Sequence, residues 1–478
     1  MSAVLLNSLQ AWWPEAILSL GAMGVLLLGA GAPRSRAPLA AAWVAVLAAA
    51  GALWVTPVSP AEPPFFGLIV CDPFSLVLRW IALGTTGIIL LLAAASRELP
   101  DTLRAECFGL LLLIGVGLML MAEANHLLMA YVAMELVSLS SYVLAGFLQE
   151  RRSAEASLKY LLFGALSSGI MLFGMSLLFG ITGTLSFPDL ARSAAMTAPQ
   201  HGQAGAILVA SALMVAGLAF KISLVPFHMW TPDVYEGAPA AVTALLSVGP
   251  KAAGLALFLR VLGVFAPAWP LLEPSFVVLT VATMTLGNTV ALVQTNVKLL
   301  LAYSTIGQVG YLMIAFIVNS PEALLFYLVA YLFMNLGVFA CVIAVVNDTG
   351  SESVDAFRGL SRREPVLALL TALFLLSLVG IPPLLGFFGK FLLFGAALKG
   401  GQPVLAVAAA VNSAIALYYY ANIIRLMYFV PPSQETPLRP ALALSVAAGL
   451  CAAVTVFFGL FPAPLLRLIS ERAIVDLL

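Results

Sequence analysis

Five ionisable residues, Glu135, Lys159, Lys221, Lys251 and Lys390, stand in stretches that are otherwise almost free of charge. Glu135 lies in LLMAYVAMELVSLSSYVLAGF, Lys221 in FKISLVPFHMW, Lys251 in ALLSVGPKAAGLALFL and Lys390 in GIPPLLGFFGKFLLF. Lys159, in SAEASLKYLLFGAL, is nearer the end of its run and follows Glu155 by four residues. An ordinary i,i+4 ion pair therefore accounts for Lys159 as well as a function does. In hydrocarbon a central charge costs roughly 2.5–3.5 kcal/mol, so several together cost on the order of 10 kcal/mol if they face lipid. They are expected to face the interior of a helix bundle or a hydrated cavity. Out of water, an ammonium keeps its proton only while something negative holds it there. Alternating Glu and Lys groups along an interior therefore have the chemistry of a proton relay. Ser138, Ser140, Ser141, Tyr142, Ser223, His228, Ser247, Tyr303 and Ser304 have groups to hold linking waters, although such residues also serve as helix–helix glue. A structural Glu–Lys pair that fixes helix packing would be buried too, and the sequence leaves that alternative open.

The elements that must position these residues are membrane helices. Of 478 residues 62% are hydrophobic and 9% charged, with a mean hydropathy of +1.07, far from the half-apolar composition of soluble domains. Net charge is zero with no basic or acidic block, which excludes a nucleic-acid binder. Four scattered cysteines without C-x-x-C speak against a metal cluster, haem attachment or disulfide framework. No G-x-G-x-x-G is present, and GAGAP (29–33) falls at the end of an apolar span. The N-terminus lacks a basic n-region and a cleavage site, so it reads as a retained first span.

Apolar windows long enough to cross a bilayer predict about fourteen helices. They lie near 13–32, 39–56, 73–96, 106–123, 127–148, 157–182, 205–225, 240–264, 274–294, 299–318, 322–347, 366–397, 403–430 and 440–465. Irregular backbone cannot face lipid, so each is helical. Arg34, Arg36, Arg97, Arg104, Arg151, Arg152, Arg358, Arg362, Arg363, Arg425 and Arg439 fall in alternate connections. The opposite side holds fewer basic residues: Arg79 and Arg260 near span ends, then Arg192, Lys399, Arg467 and Arg472. The first set is therefore expected to be cytoplasmic, with both termini outside. Lys298, at the start of the tenth span, is expected to snorkel to the interface.

Pro226 is expected to interrupt span seven, and Pro382 with Pro383 span twelve. Two broken helices five spans apart, each with a lysine, suggest two five-helix repeats, spans four to eight and nine to thirteen. Five is odd, so the second copy is inverted. The expected divisions are a three-helix segment (1–104), two repeats (105–265 and 270–430) and a terminal helix with tail (431–478). The fold class is thus an all-α polytopic membrane protein of about fourteen transmembrane helices, with discontinuous helices seven and twelve.

FKISLVPFHMWTPDVYEGAPAAVTALLSVGPKAAG (220–254), MELVSLSSYVLAGF (134–147), NVKLLLAYSTIGQVGYL (296–312) and GIPPLLGFFGKF (380–391) resemble, in order, one family. It is the antiporter-like membrane subunits of respiratory complex I (NADH–quinone oxidoreductase), the subunit N branch especially. The resemblance implies a proton-translocating, non-redox subunit of a translocase in the bacterial inner membrane. Glu135 and Lys221 would be the carboxylate–lysine pair, Lys251 the linking lysine, Lys390 the terminal lysine and Lys159 an accessory one. It further implies that NADH, FMN, iron–sulfur clusters and quinone sit in partner subunits, with no cofactor or metal on this chain. Its neighbours would be other antiporter-like and small membrane subunits, and lipid. Gln308 stands where relatives often carry histidine, and it cannot titrate. The absence of a long amphipathic helix after span fourteen argues against the larger, distal family member. The alternatives are a subunit of a stand-alone cation/proton antiporter, and a scaffold whose buried charges only fix packing.

Overall fold

The structure, a computed structural model, describes residues 2–32, 35–58, 64–148, 150–197 and 204–471. Arg34 and Arg472, counted above among the loop charges, lie outside the described residues. The chain begins with α1 (Ser2–Gly31), α2 (Ala37–Val55) and α3 (Pro73–Ala95). There follow α4 (Arg104–Glu123), α5 (Leu127–Ala145), α6 (Arg151–Thr182) and a short amphipathic α7 (Phe187–Thr197). The interrupted seventh span is α8 (Ala204–Ile222) plus α9 (Trp230–Gly237), and α10 (Ala240–Arg260) is the eighth. The second half runs through α11 (Trp269–Ala291), α12 (Val297–Ile317) and α13 (Pro321–Thr349). It continues with the two halves α14 (Pro365–Val379) and α15 (Leu385–Lys399), then α16 (Pro403–Phe429), α17 (Leu442–Leu460) and α18 (Ala463–Ser470).

Thirteen helices among the described residues are long and apolar enough to cross a membrane, and α14 with α15 make one further, interrupted crossing. The expected count of fourteen follows. Central α10, α12 and α13 are buried nearly all round, whereas α1, α2, α6 and α11 leave large apolar side chains such as Leu27, Leu47, Leu162 and Val278 on the outside. A helix that is apolar on every side belongs in such a centre or against lipid. The first helix begins earlier than expected, at Ser2, and α7 between spans six and seven was not anticipated.

Both breaks are built alike. At the first, Ser223 adopts φ +66°, its amide donates to the Phe220 carbonyl (3.1 Å) and that of Leu224 to the Ala219 carbonyl (2.9 Å). At the second, Gly380 adopts φ +95°, with Gly380 donating to Ser377 (3.0 Å) and Ile381 to Leu376 (3.1 Å). This is the same left-handed helix closure, followed each time by the prolines that prevent the helix from continuing. Val225–Pro226 and Pro382–Pro383 are both cis. The resumed α15 packs closely on the end of α14: the Gly386 amide donates to Ser377 Oγ (3.1 Å), and a β-carbon at Gly386 would run into the Ser377 carbonyl. Gly386→Ala is therefore expected to destabilise the chain by about 2 kcal/mol, as overpacked cores do. A lower thermal midpoint of the purified complex checks it.

The repeat is visible outside the breaks as well. His126 caps α5, its Nδ1 accepting from Leu128, and Asn296 caps α12, its Oδ1 accepting from Lys298. The Leu127 amide donates to Leu185 and Phe187 to Asn125; likewise Val297 donates to Glu352 and Val354 to Thr295. The paired segments TGTLS (182–186) and TGSES (349–353) each end a helix at a left-handed glycine, Gly183 or Gly350. Five spans separate the copies, so these two bridges lie at opposite ends of the bundle.

Candidate functional site

Glu135 lies midway along α5 and is half-buried, its carboxylate accepting a hydrogen bond from Ser168 of α6. One turn on, Ser138 accepts from the Lys221 ammonium at 2.9 Å. Lys221 is 1% exposed, in the last turn of α8, and its stem lies against the position of Gly254 on α10. Glu135 and Lys221 are therefore not directly hydrogen-bonded; Ser138 stands between them along α5.

Lys251, one turn before Gly254, is fully buried, and its Nζ makes no hydrogen bond among the described residues. It sits 4.5 Å from the centre of the Trp230 ring and 5.7 Å from that of Tyr235, both on α9. Trp230 in turn donates to the Phe220 carbonyl exposed by the break (3.0 Å). The interruption in span seven therefore brings two ring faces to Lys251 and frees the backbone beside Lys221.

At the second break, Lys390 of α15 reaches back and donates to the Val379 carbonyl at the end of α14 (3.0 Å) and to Ser413 (3.1 Å). Its Nζ lies 4.2 Å from the Tyr311 ring centre. A cation at a helix C-terminus meets the negative end of the helix dipole.

Between Lys251 and Lys390 runs a polar stripe of α13 that the sequence reading did not single out. Asn335 donates to Ser247 (2.6 Å), Tyr331 to Thr305 (3.1 Å), and Tyr327 to the Gln308 carbonyl oxygen. The spacing 327, 331, 335 places all three on one helix face, and that periodicity was the signal available. Gln308 also donates to the Leu378 carbonyl (3.4 Å), so it is an anchored bridge and carries no titratable proton.

Two expectations need correction. Lys298 does not snorkel: it is fully buried, paired with Glu352 at 2.5 Å and donating to the Ala238 carbonyl at 2.8 Å. Nor are Arg79 and Arg260 unremarkable charges at span ends. Arg79 is buried between Glu15 and Glu123, and Arg260 forms a two-point pair with Asp72. Lys159 does pair with Glu155 (2.9 Å), and equally with Asp233 of α9 (2.8 Å).

At one end of the bundle Glu352 gathers Lys298, Asn296 and Arg152, in a polar basin also lined by Arg97, Glu98 and Asn347. Partial burial works against the Glu352 charge, but Lys298, Asn296 and Arg152 outweigh it and hold this loop carboxyl below the usual range. The pairing thus persists at neutral pH and is lost only as pH falls below ordinary carboxylate values.

Residues 124–416 match the family described as "NADH:quinone oxidoreductase/Mrp antiporter, TM". NADH-quinone oxidoreductase subunit N 2 of Sorangium cellulosum (strain So ce56) is 43% identical, over 97% of each chain. This chain belongs to the subunit N family. The same-named protein of Rhizobium meliloti (strain 1021) is 41% identical over 99% of both chains. Among solved structures, a chain of respiratory complex I from Thermus thermophilus with bound aureothin gives a TM-score of 0.81 at 33% identity, covering 95% of this chain and 98% of that one. A chain of the Mrp complex from Dietzia sp. DQ12-45-1b, 24% identical with 98% and 97% covered, gives 0.82 and shares the fold. Within the subunit N family, then, the chain is a multi-pass membrane subunit of antiporter-like architecture.

Proposed function

We propose that this chain translocates protons in the membrane arm of an NADH–quinone oxidoreductase, through a relay of Glu135, Lys221, Lys251 and Lys390. The observation that carries the reading is the burial of three lysines along one interior line, none of them neutralised by a contacting carboxylate. A structural charge is paired; these are left poised, with Ser138, two ring faces and a backbone carbonyl as neighbours. Charged groups buried in one low-dielectric interior act on one another over several ångströms. A proton gained at one station therefore changes proton affinity at the next. Moving one charge against the membrane potential takes about 2.3 kcal/mol per 100 mV, a cost that such charge coupling is suited to meet.

The two repeats, 105–265 and 270–430, supply one broken helix each, and Lys159 with Arg152 ties α9 to α6 through Asp233 and Glu236. Glu135 is a half-exposed carboxylate between outward-facing Val132 and Leu139 in mid-span. Such a group is costly against lipid, which supports a neighbouring membrane-arm subunit on this face. NADH, FMN, iron–sulfur clusters and quinone belong to partner subunits, whose redox chemistry drives this one. The connections holding Arg97, Arg152 and Arg363 contact one another's end of the bundle, through Asn347, Glu352 and Asp348, which supports their placement together on the cytoplasmic side with both termini periplasmic.

Lys221→Ala in the native membrane tests this. Expected is normal assembly on a native gel with coupled electron transfer and proton uptake lowered about tenfold, less than the roughly 100-fold at the low end for a lost proton-transfer group. The residual rate reflects water entering the space beside Ser138 and Glu135. Wild-type rates of both would reduce the broken helix to architecture.

A further inference from the structure

An apolar cavity of about 730 Å³ opens at the end of the bundle away from the Glu352 basin. Its walls come from the end of α2, the first halves of α3 and α13, the last turn of α17, and α18. The volume is that of a ligand site, about 300–1,000 Å³. No charged side chain lines it, and its one hydroxyl, that of Thr56, is committed to the Ala52 carbonyl (2.9 Å). The other polar side-chain groups on its walls are the indole N–H groups of Trp54 and Trp80, too few to hold water through its volume. Left empty, the walls would forfeit their packing contacts across it. The cavity therefore calls for an apolar occupant.

Its depth is that of one membrane leaflet. Leu53 and Trp54 line it at the end of α2, while Gly84 lines it halfway along α3. Gly84 follows Pro73, the first residue of α3, by 11 residues, which is about 16 Å of helix. Half of the hydrocarbon core is about 15 Å. Phe333 lies as deep on α13, 12 residues after Pro321. The mouth has the marks of the membrane interface. Trp54 is 82% exposed and meets Trp80 edge to face, 6.4 Å between ring centres, and tryptophan is the residue of the headgroup level. In α18, Leu465 and Ile469 line the cavity while Arg467 is exposed on the opposite face. A short amphipathic helix of this kind lies in the headgroup plane, where a guanidinium binds phosphate by charge-assisted hydrogen bonds. A cation at the rim above an apolar column that stops at the midplane has the polarity of a lipid.

We infer that this cavity is a binding site for one phospholipid, with an acyl chain reaching Gly84 and Phe333 and the phosphate at the level of Arg467. Gly84 keeps the deep end open: a β-carbon there would meet no atom within 4 Å. The chain also backs a helix of the polar interior. Leu332 and Phe333 lie on the side of α13 turned away from Tyr327, Tyr331 and Asn335. The lipid thus completes the packing behind that stripe, and the site does not depend on the relay proposed above.

The test uses the intact complex in phosphatidylglycerol vesicles, a fraction of whose lipid carries a diazirine at the end of one acyl chain. After illumination the labelled peptides are mapped by mass spectrometry. Expected in wild type is label at Gly84 and Phe333 that survives dilution with unlabelled lipid, while label at outward-facing Leu162 is lost. Gly84→Phe fills the deep end and is expected to lose most of the retained label. Gly84→Val narrows the same end with less bulk and is read in the same way where the phenylalanine variant does not assemble. Label that exchanges as fast at Gly84 as at Leu162 makes the occupant ordinary boundary lipid. Absence of label gives the space to a partner subunit, and displacement of label by a short-chain quinone gives it to quinone. Retained label undiminished by the Gly84 substitutions places the lipid elsewhere. Each of these four results overturns the site.

Discussion

Arg79→Ala is expected to remove this chain from the assembled complex. Arg79 is the cation between Glu15 and Glu123, and its deletion leaves two carboxylates buried with no counter-charge and the Ala11 carbonyl without its donor. Breaking a buried ion group from one side costs about 3–5 kcal/mol, because the remaining charges cannot return to water. That is a large share of the total stability of a folded domain, about 5–15 kcal/mol. The loss should fall on α1, α3 and α4, which the cluster joins, and a native gel should show little intact complex. The decisive control neutralises the partners as well. Arg79→Ala with Glu15→Gln and Glu123→Gln leaves no buried charge, so most of the assembly should return despite the smaller side chain. If the single and triple variants assemble equally well, the ion cluster does not hold these helices. If the single variant alone fails, charge and not volume is what the site requires.

How much of this could be read in the sequence depended on what the membrane forbids. Apolar spans are legible because length and hydropathy leave few alternatives, and Pro226, Pro382 and Pro383 mark the breaks because no helix passes them unchanged. Glu135, Lys221, Lys251 and Lys390 stood out because a charge in mid-span has no bland explanation of equal weight. The same logic fails near the ends of spans, where water is close and a charge costs little. Glu15, Arg79, Glu123, Asp72, Arg260 and Lys298 were passed over or given to the interface for that reason, and only three-dimensional packing shows them buried. Neutral polar residues escaped differently. Asn335, Tyr331 and Tyr327 are residue types found as glue in many membrane helices, so their common face meant little until Ser247, Thr305 and Gln308 were seen opposite. The internal repeat was inferred from the breaks, while its plainer mark, TGTLS against TGSES, sits in loops where an apolar search does not look.

Lys251→Met separates stability from function by moving them in opposite directions. Lys251 is buried without a hydrogen bond, and the Trp230 and Tyr235 ring faces are its cation-binding neighbours. A desolvated cation–π contact is worth about 2 kcal/mol, which does not replace the hydration an ammonium loses on burial. Methionine has nearly the same length, adapts to irregular space and asks for no partner. The variant should therefore be more stable by about 1 kcal/mol, in the range found when a functional residue that costs stability is removed. Pumping should fall about 100-fold, because a thioether cannot carry a proton. That loss exceeds the one expected for Lys221→Ala, where Ser138 and Glu135 remain to hold water. The measurement pairs a thermal unfolding midpoint of the purified complex with proton uptake per electron in sealed membranes. A higher midpoint with lost uptake marks Lys251 as a group kept for its proton against the interest of the fold. A lower midpoint with lost uptake makes it a packing residue, and wild-type uptake removes it from the relay.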